Sequence, residues 1–208
     1  MTDRPLRDAL HFFGRFLRSP GSVGAVLPSS RFLARELVGD LAALRAGDLV
    51  VEYGPGTGAI TRRIATVLPE GVRYLGIELD GSFVRRLEQR FPRLEFHHGS
   101  VADVKRILAE RGLPAPRRIV SGLPFASLPR AVQDAVVGGT AEVLDPSGEF
   151  RTFQYVHAWP LATAKRFRTA MGGCFRGFQR LGPIVRNVPP AYVLVYRAPA
   201  VRSSAVAL

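Results

Sequence analysis

Apolar residues recur along this chain in two rhythms that take turns. From Leu49 onward, short apolar runs at 49–53, 72–78, 94–97, 118–121 and about 149–157 alternate with stretches of helical periodicity near 59–68, 82–90, 102–111 and 130–144. Such alternation builds βαβ units, in which helices cover both faces of a parallel sheet. The end departs from it: after a helix near 161–170, runs at 174–181 and 191–197 are joined by a Pro-rich connection that suits antiparallel pairing. The pattern predicts an α/β fold with a mostly parallel sheet and an antiparallel close.

Two helices are predicted ahead of this region. Residues 3–18 put Ala9, Leu10, Phe13, Phe16 and Leu17 on one face, with Arg4, Arg7, Asp8, His11, Arg15 and Arg18 on or near the other, and stop at Ser19-Pro20-Gly21. Ser29 and Ser30 are N-cap candidates for a second helix, whose Leu33, Leu37, Leu41 and Leu44 carry it to about Gly47. The organisation read from this is a helical extension over 1–48 and an α/β domain over 49–208, with a frayed tail from 198. No internal repeat interrupts it.

Composition narrows the class. A chain of 208 residues suits one domain with a short extension, and 47% hydrophobic against 22% charged residues is a globular balance, so a packed core is expected. The formal net charge of +12 draws the protein to polyanions: nucleic acid, anionic lipid or phosphorylated substrates. Lys105 and Lys165 are the only lysines, so arginine carries the charge, through codon bias or through selection for phosphate binding. Cys174 stands alone, which excludes an intrachain disulfide and a thiolate zinc site and fits a reducing cytoplasm. His97 and His98, adjacent on a strand, face opposite ways, so no metal site is expected there. No run reaches the roughly 18 to 20 apolar residues of a membrane span, and the N-terminus does not read as a signal peptide, so any membrane contact is expected to be peripheral.

The chemistry gathers where strands end. Leu49-Val50-Val51-Glu52-Tyr53 runs into Gly54-Pro55-Gly56-Thr57-Gly58, and a helix opens at once: the first βα turn of a nucleotide-binding sheet. With Ala59 the loop also satisfies the dinucleotide spacing. Glu52 sets a carboxylate beside it, however, and Pro55 removes an N–H that a phosphate would want, so a cationic ligand suits it better. S-adenosylmethionine, with an ammonium, a sulfonium and no phosphate, is such a ligand. The second strand ends in Ile77-Glu78-Leu79-Asp80, where Glu78 can accept both ribose hydroxyls and Asp80 serves as a helix N-cap. Gly99-Ser100-Val101 follows the third strand, where the adenine edge would lie. Ser121-Gly122-Leu123-Pro124-Phe125 follows the fourth, where exposed carbonyls and an aromatic ring can hold an amine.

These motifs resemble the class I methyltransferases, in particular the branch shared by rRNA adenine dimethyltransferases and one type of bacterial phospholipid N-methyltransferase. Two further stretches are similar to the lipid branch: Gly21-Ser22-Val23-Gly24-Ala25-Val26-Leu27-Pro28-Ser29-Ser30, and Val185-Arg186-Asn187-Val188-Pro189-Pro190-Ala191. The resemblance spans roughly residues 12–197. It implies a seven-stranded Rossmann-like fold, S-adenosylmethionine as methyl donor, and phosphatidylethanolamine methylated stepwise towards phosphatidylcholine. It places Glu52, Gly54, Gly56 and Glu78 on the cofactor, and we add Thr57, Leu79, Ser100, Val101 and Ser121 as its surroundings. Ser100 stands where relatives usually have Asp. Two departures count against the rRNA enzymes, whose fourth motif opens with Asn and which carry a further helical domain; nucleic acid is therefore not the expected partner. A binding module that kept the fold without catalysis is the third reading, which the intact loop and Glu78 oppose.

Methyl transfer to nitrogen is an in-line displacement that asks for alignment and desolvation of the amine lone pair. Tyr155, foremost, and His157 are the candidates to take the proton or hold the amine, with Ser121 and the turn it opens. Leu123, Pro124, Phe125, Tyr155 and Trp159 are expected around the headgroup, the aromatic rings by cation–π contact, and Arg186 on its phosphate, with Arg151 second. Phe12, Phe13, Phe16 and Leu17, flanked by Arg15 and Arg18, form the expected membrane face at the inner side of the cell membrane, and 1–48 is expected to cover the site; the alternative is that this helix packs on the core.

Overall fold

The computed structural model describes residues 29–199. The expected N-terminal helix with Phe12, Phe13, Arg15, Phe16, Leu17 and Arg18, the stretch 21–28 and the end of the tail lie outside them. Every predicted strand falls in one seven-stranded sheet: β1 (Leu49–Tyr53), β2 (Arg73–Glu78), β3 (Glu95–His98), β4 (Arg118–Ser121), β5 (Glu149–Tyr155), β6 (Phe175–Ile184) and β7 (Ala191–Pro199). Their order is β3-β2-β1-β4-β5-β7-β6. β3, β2, β1, β4 and β5 pair in parallel; β7 runs against both β5 and β6, so β7 alone is reversed. This is the seven-stranded arrangement that the resemblance implies, and the strand order turns back between β1 and β4, where such sheets open a crevice at their carboxyl ends.

Among the described residues, six α-helices cover the sheet: α1 (Arg31–Val38), α2 (Ala59–Val67), α3 (Gly81–Arg90), α4 (Val104–Glu110), α5 (Arg130–Val143) and α6 (Ala162–Cys174). All five β1 residues are buried, as a central parallel strand requires. Strand parity splits the core in two. Leu49, Val51 and Tyr53 pack with Val104 and Ile107 of α4, Val136 of α5 and Phe167 of α6. Val50 packs with Leu33 and Leu37 of α1, Ile60 and Ile64 of α2, and Val84 and Leu87 of α3. No helix among the described residues is long and apolar enough to cross a membrane.

Two expectations change here. The helix predicted from Ser30 to Gly47 stops at Val38, because Gly39 takes a φ of 64° and Asp40 Oδ1 accepts from Ala42 N to begin a turn. Leu41 and Leu44 continue the leucine spacing and are buried, but from the connection that follows α1. The boundary expected at residue 48 also divides no core: Leu33, Ala34, Leu37, Val38, Leu41 and Leu44 belong to the same cluster as Val50 and Val120.

At the amino ends of the strands, buried arginines hold α1 in place. Arg118 donates to Val38 O (2.8 Å) and Asp40 O (3.1 Å), and Arg151 donates to Glu36 O (3.0 Å). Both pair with Glu149, at 3.3 and 3.2 Å. Cations at a helix C-terminus complement the macrodipole, and Glu149 offsets the cost of their burial. Burial still pulls the Arg118 guanidinium down to about 10. Arg151, a candidate for headgroup phosphate, is thus engaged at the end of the sheet opposite the glycine loop.

Candidate active site

The loop after β1 is built from left-handed glycines, with φ of 66° at Gly54, 55° at Gly56 and 80° at Gly58. A Cβ on Gly54 would stand 2.6 Å from Leu123 Cδ2, and one on Gly122 would stand 2.9 Å from Gly54 O. The glycine loop and the turn after β4 therefore rest directly on one another, tied further by Gly122 N donating to Tyr53 O at 2.8 Å. Gly56 differs: the nearest atom to a Cβ there is Gly54 O at 3.9 Å, so its backbone borders open space. Thr57, exposed on the flank, joins Phe83, Arg86 and Arg90 around a cleft beside the loop, and Arg90 donates to its carbonyl at 3.2 Å.

Glu78 closes the other side. Its Oε2 accepts from Gly56 N and its Oε1 from Asp80 N, each at 2.9 Å. A carboxylate offers about four lone-pair positions, so each oxygen keeps one for a further donor. Burial holds its carboxyl above the usual carboxylate range, and the backbone N–H groups that point at it oppose the rise by stabilising the charged acceptor. Asp80 is the N-cap of α3, accepting from Ser82 N at 2.8 Å.

Glu52 lies elsewhere than expected. Its side chain falls on the α2 face of β1, fully buried, accepting from Tyr74 Oη (2.6 Å) and Thr61 Oγ1 (2.9 Å). It touches no surface a ligand can reach and acts on the loop above only through its charge. Burial pushes its carboxyl up to about 7, against the pull of both hydroxyls, and its Oε1 has no hydrogen-bond partner. Tyr74 and Thr61 were not anticipated. Tyr74 was legible once the parallel register Val50↔Tyr74, Glu52↔Gly76 is known; Thr61, on the first turn of α2, gave no signal.

The remaining candidates divide. Leu79, half-buried, follows Glu78, and its carbonyl lies 3.1 Å from His98 Nε2. Ser100 spends its hydroxyl on Ala102 N (3.1 Å), capping a short turn, and the Val101 side chain packs in the core, so neither side chain is free for an adenine edge. Ser121 is fully buried and braces the turn by accepting from Leu123 N at 3.2 Å, which removes it from direct contact with cofactor or amine. Leu123 and Pro124 are buried in that turn. Phe125, at 1% exposure, stacks on Phe167 with ring centroids 4.1 Å apart, so it is core rather than an aromatic wall.

Tyr155 ends β5 half-buried, edge-on to Phe153 and parallel to the exposed His157 ring at 5.5 Å. Burial raises its phenol, so Tyr155 is a neutral hydrogen-bonding group and not a base. Trp159 is already occupied: the Arg168 guanidinium sits 3.8 Å over its ring and Arg180 4.9 Å, which leaves a substrate cation poorly placed there. Arg186 is exposed and lies over the Phe32 ring at 5.0 Å, beside α1.

Against known proteins, no family model matches. An ornithine lipid N-methyltransferase from Singulisphaera acidiphila is 33% identical over 189 residues, covering 89% of this chain and 94% of that enzyme. The chain belongs to that family of class I S-adenosylmethionine-dependent methyltransferases. A ribosomal RNA small subunit methyltransferase A from Synechococcus is 33% identical over 93 residues only, 45% of this methyltransferase and 30% of that protein. Among solved structures, human methyltransferase-like protein 13 in complex with SAH superposes with a TM-score of 0.61 at 16% identity, over 79% of this chain and 81% of that one.

The residues fit the donor of this class. The open backbone of Gly56, the spare lone pairs of Glu78 and the buried carboxyl of Glu52 under the loop form an anionic cradle without a phosphate site. Gly54, Gly56, Thr57, Glu78 and Leu79 would hold it, and the group it supplies is an electrophilic sulfonium methyl.

Proposed function

We propose that this enzyme N-methylates the primary amine of a zwitterionic membrane lipid headgroup, carrying phosphatidylethanolamine through its mono- and dimethylated forms towards phosphatidylcholine at the inner membrane surface. The observation that carries the lipid reading is the span of the likeness. It extends over 89% of this chain and 94% of a lipid N-methyltransferase, whereas the sequence likenesses to two rRNA methyltransferases cover 45% and 54% of this chain and 30% and 43% of those proteins. Phosphatidylethanolamine and an ornithine lipid share the chemistry invoked here, a primary amine tethered near an anion.

The chain's own part is placement. The turn from Ser121 to Phe125, held against the glycine loop through Leu123 and Gly122, keeps its geometry fixed beside the donor cradle. Tyr155, neutral and half-buried at the tip of the neighbouring strand, holds the amine through its hydroxyl. His157, exposed beside it, takes the proton that an ammonium substrate must lose before its lone pair attacks.

A labelled methyl-transfer assay tests this with phosphatidylethanolamine vesicles, ornithine lipid vesicles and undermethylated small-subunit rRNA in parallel. Label in phosphatidylethanolamine is expected; label in ornithine lipid alone would change the acceptor, and label in RNA alone would overturn the lipid reading.

A further inference from the structure

The end of the sheet that carries the site also carries exposed large apolar side chains. β6 runs parallel to β5, so the β6–β7 connection leaves at the same end as the tip of β5, and the register sets Tyr155 and Ile184 on either side of Ala191. Four large apolar side chains are exposed among the described residues, and three of them stand at this end: Val185 and Val188 at 70% exposure and Leu161 at 49%. Pro190 O accepts from Val156 N at 2.9 Å, which joins the connection to the segment leading to Leu161.

This apolar display is rigidly mounted. Asn187, between the two valines, is buried; its Oδ1 accepts from Ser30 N at 2.9 Å and its Nδ2 donates to Pro189 O at 2.7 Å. Its own N–H reaches Ile184 O at 3.2 Å. With Asn187 drawn inward, Val185 and Val188 point out. Beside them the Phe32 ring has two guanidiniums near it, Arg31 at 4.8 Å and Arg186 at 5.0 Å, and neither pairs with a carboxylate among the described residues.

Exposed aliphatic side chains flanked by two exposed arginines match an interface where hydrocarbon lies beneath phosphate. A second copy of the chain would set like charges against each other across a two-fold contact. The segment 1–28 carries four arginines against two aspartates, so it offers no surplus of acid to neutralise Arg31 and Arg186.

We infer that the 185–190 loop is a membrane-contact element: Val185 and Val188, with Leu161 beside them, enter the surface of an anionic bilayer while Arg31 and Arg186 meet its phosphates. This rests on the lipid reading of the site and adds how the site meets its substrate. A headgroup standing at the bilayer surface then faces the tip of β5 without leaving the membrane.

The test is co-sedimentation of the full chain with vesicles of phosphatidylglycerol and phosphatidylethanolamine, methyl donor omitted. Val185→Asp/Val188→Asp is expected to bind about tenfold or more weakly, since it replaces burial with a charge repelled by the surface. Val185→Leu/Val188→Leu is expected to bind at least as well as the parent. Both positions are exposed, so SAH affinity and melting temperature should hold in each variant and report folding. Aspartate variants that sediment like the parent would overturn the inference, as they would if another segment or a protein covered the loop. A parent that binds vesicles through these valines but methylates no lipid would sink the proposed function and leave the contact standing.

Discussion

The backbone N–H of Gly56 donates to Glu78 Oε2 at 2.9 Å, and that bond joins the glycine loop after β1 to the carboxyl end of β2. It sets the two halves of the donor cradle in register before any ligand arrives. Replacing Glu78 by Ala removes this brace and, if the donor lies in the cradle as proposed, a carboxylate acceptor for its ribose. Hydrogen bonds to a charged group contribute about 1.5 to 3 kcal/mol each, so SAH affinity should fall by roughly ten- to a hundredfold in calorimetric titration. Unchanged affinity would remove Glu78 from the cofactor site.

Gly56→Ala separates conformation from space. The new Cβ meets nothing closer than 3.9 Å, but φ is 55°, so the fold should lose only about 1 to 2 kcal/mol for the left-handed backbone. SAH affinity should fall much more than that if the space over Gly56 is where the donor lies. Thermal melts with and without SAH read both effects. In Gly122→Ala the Cβ points at Gly54 O from 2.9 Å, and stability and affinity should fall together.

Glu52 gives the site a pH dependence whose sign is fixed. Its carboxyl moves from 4.5 to about 7 on folding, so between those values the folded chain holds a proton that the unfolded chain has released. Its contribution to stability therefore falls as pH rises from about 4.5 to about 7 and is level above. Glu52→Gln should flatten that segment of the urea-stability profile and melt higher than the parent at pH 8. A cation in the cradle favours the ionised carboxyl, so donor affinity should rise through pH 7 in the parent and stay flat in the variant. A parent whose affinity ignores pH would mean that Glu52 is structural.

If Tyr155 holds the amine as proposed, Tyr155→Phe should lower turnover while leaving SAH affinity and the pH of half-maximal rate unchanged, because a phenol kept neutral by burial binds without titrating. Full turnover with normal lipid binding would exclude it.

The strands and their order of appearance were legible in the sequence because the apolar runs of β1, β2 and β4 set a βα rhythm that β3 and β5 continue, and the reversal at β7 because its connection is too short for a helical crossover. The glycine loop and Glu78 were legible for a similar reason: backbone that needs positive φ and a carboxylate at a strand end leave marks at fixed offsets. What the pattern concealed was direction. Glu52 and Ser121 stand in motif positions, yet one closes under α2 and the other braces its own turn, and nothing in spacing tells an exposed carboxylate or hydroxyl from one that packing has enclosed. Phe125 and Trp159 failed as an aromatic wall because Phe167 and Arg168, both on α6, occupy their rings, and no local spacing marks either pair. The leucine spacing through Leu44 misled in the opposite sense, since a buried connection and a buried helix can share it.

The central claim, donor-dependent methylation of a lipid amine, is tested most directly by mass spectrometry of lipids from a bacterial host that makes phosphatidylethanolamine but no methylated form. Expression of the chain should yield phosphatidylethanolamine species heavier by one, two or three methyl groups, and expression of Glu78→Ala should yield almost none. A lipid profile identical to that of the host, from cells in which the purified chain binds SAH, would contradict the account.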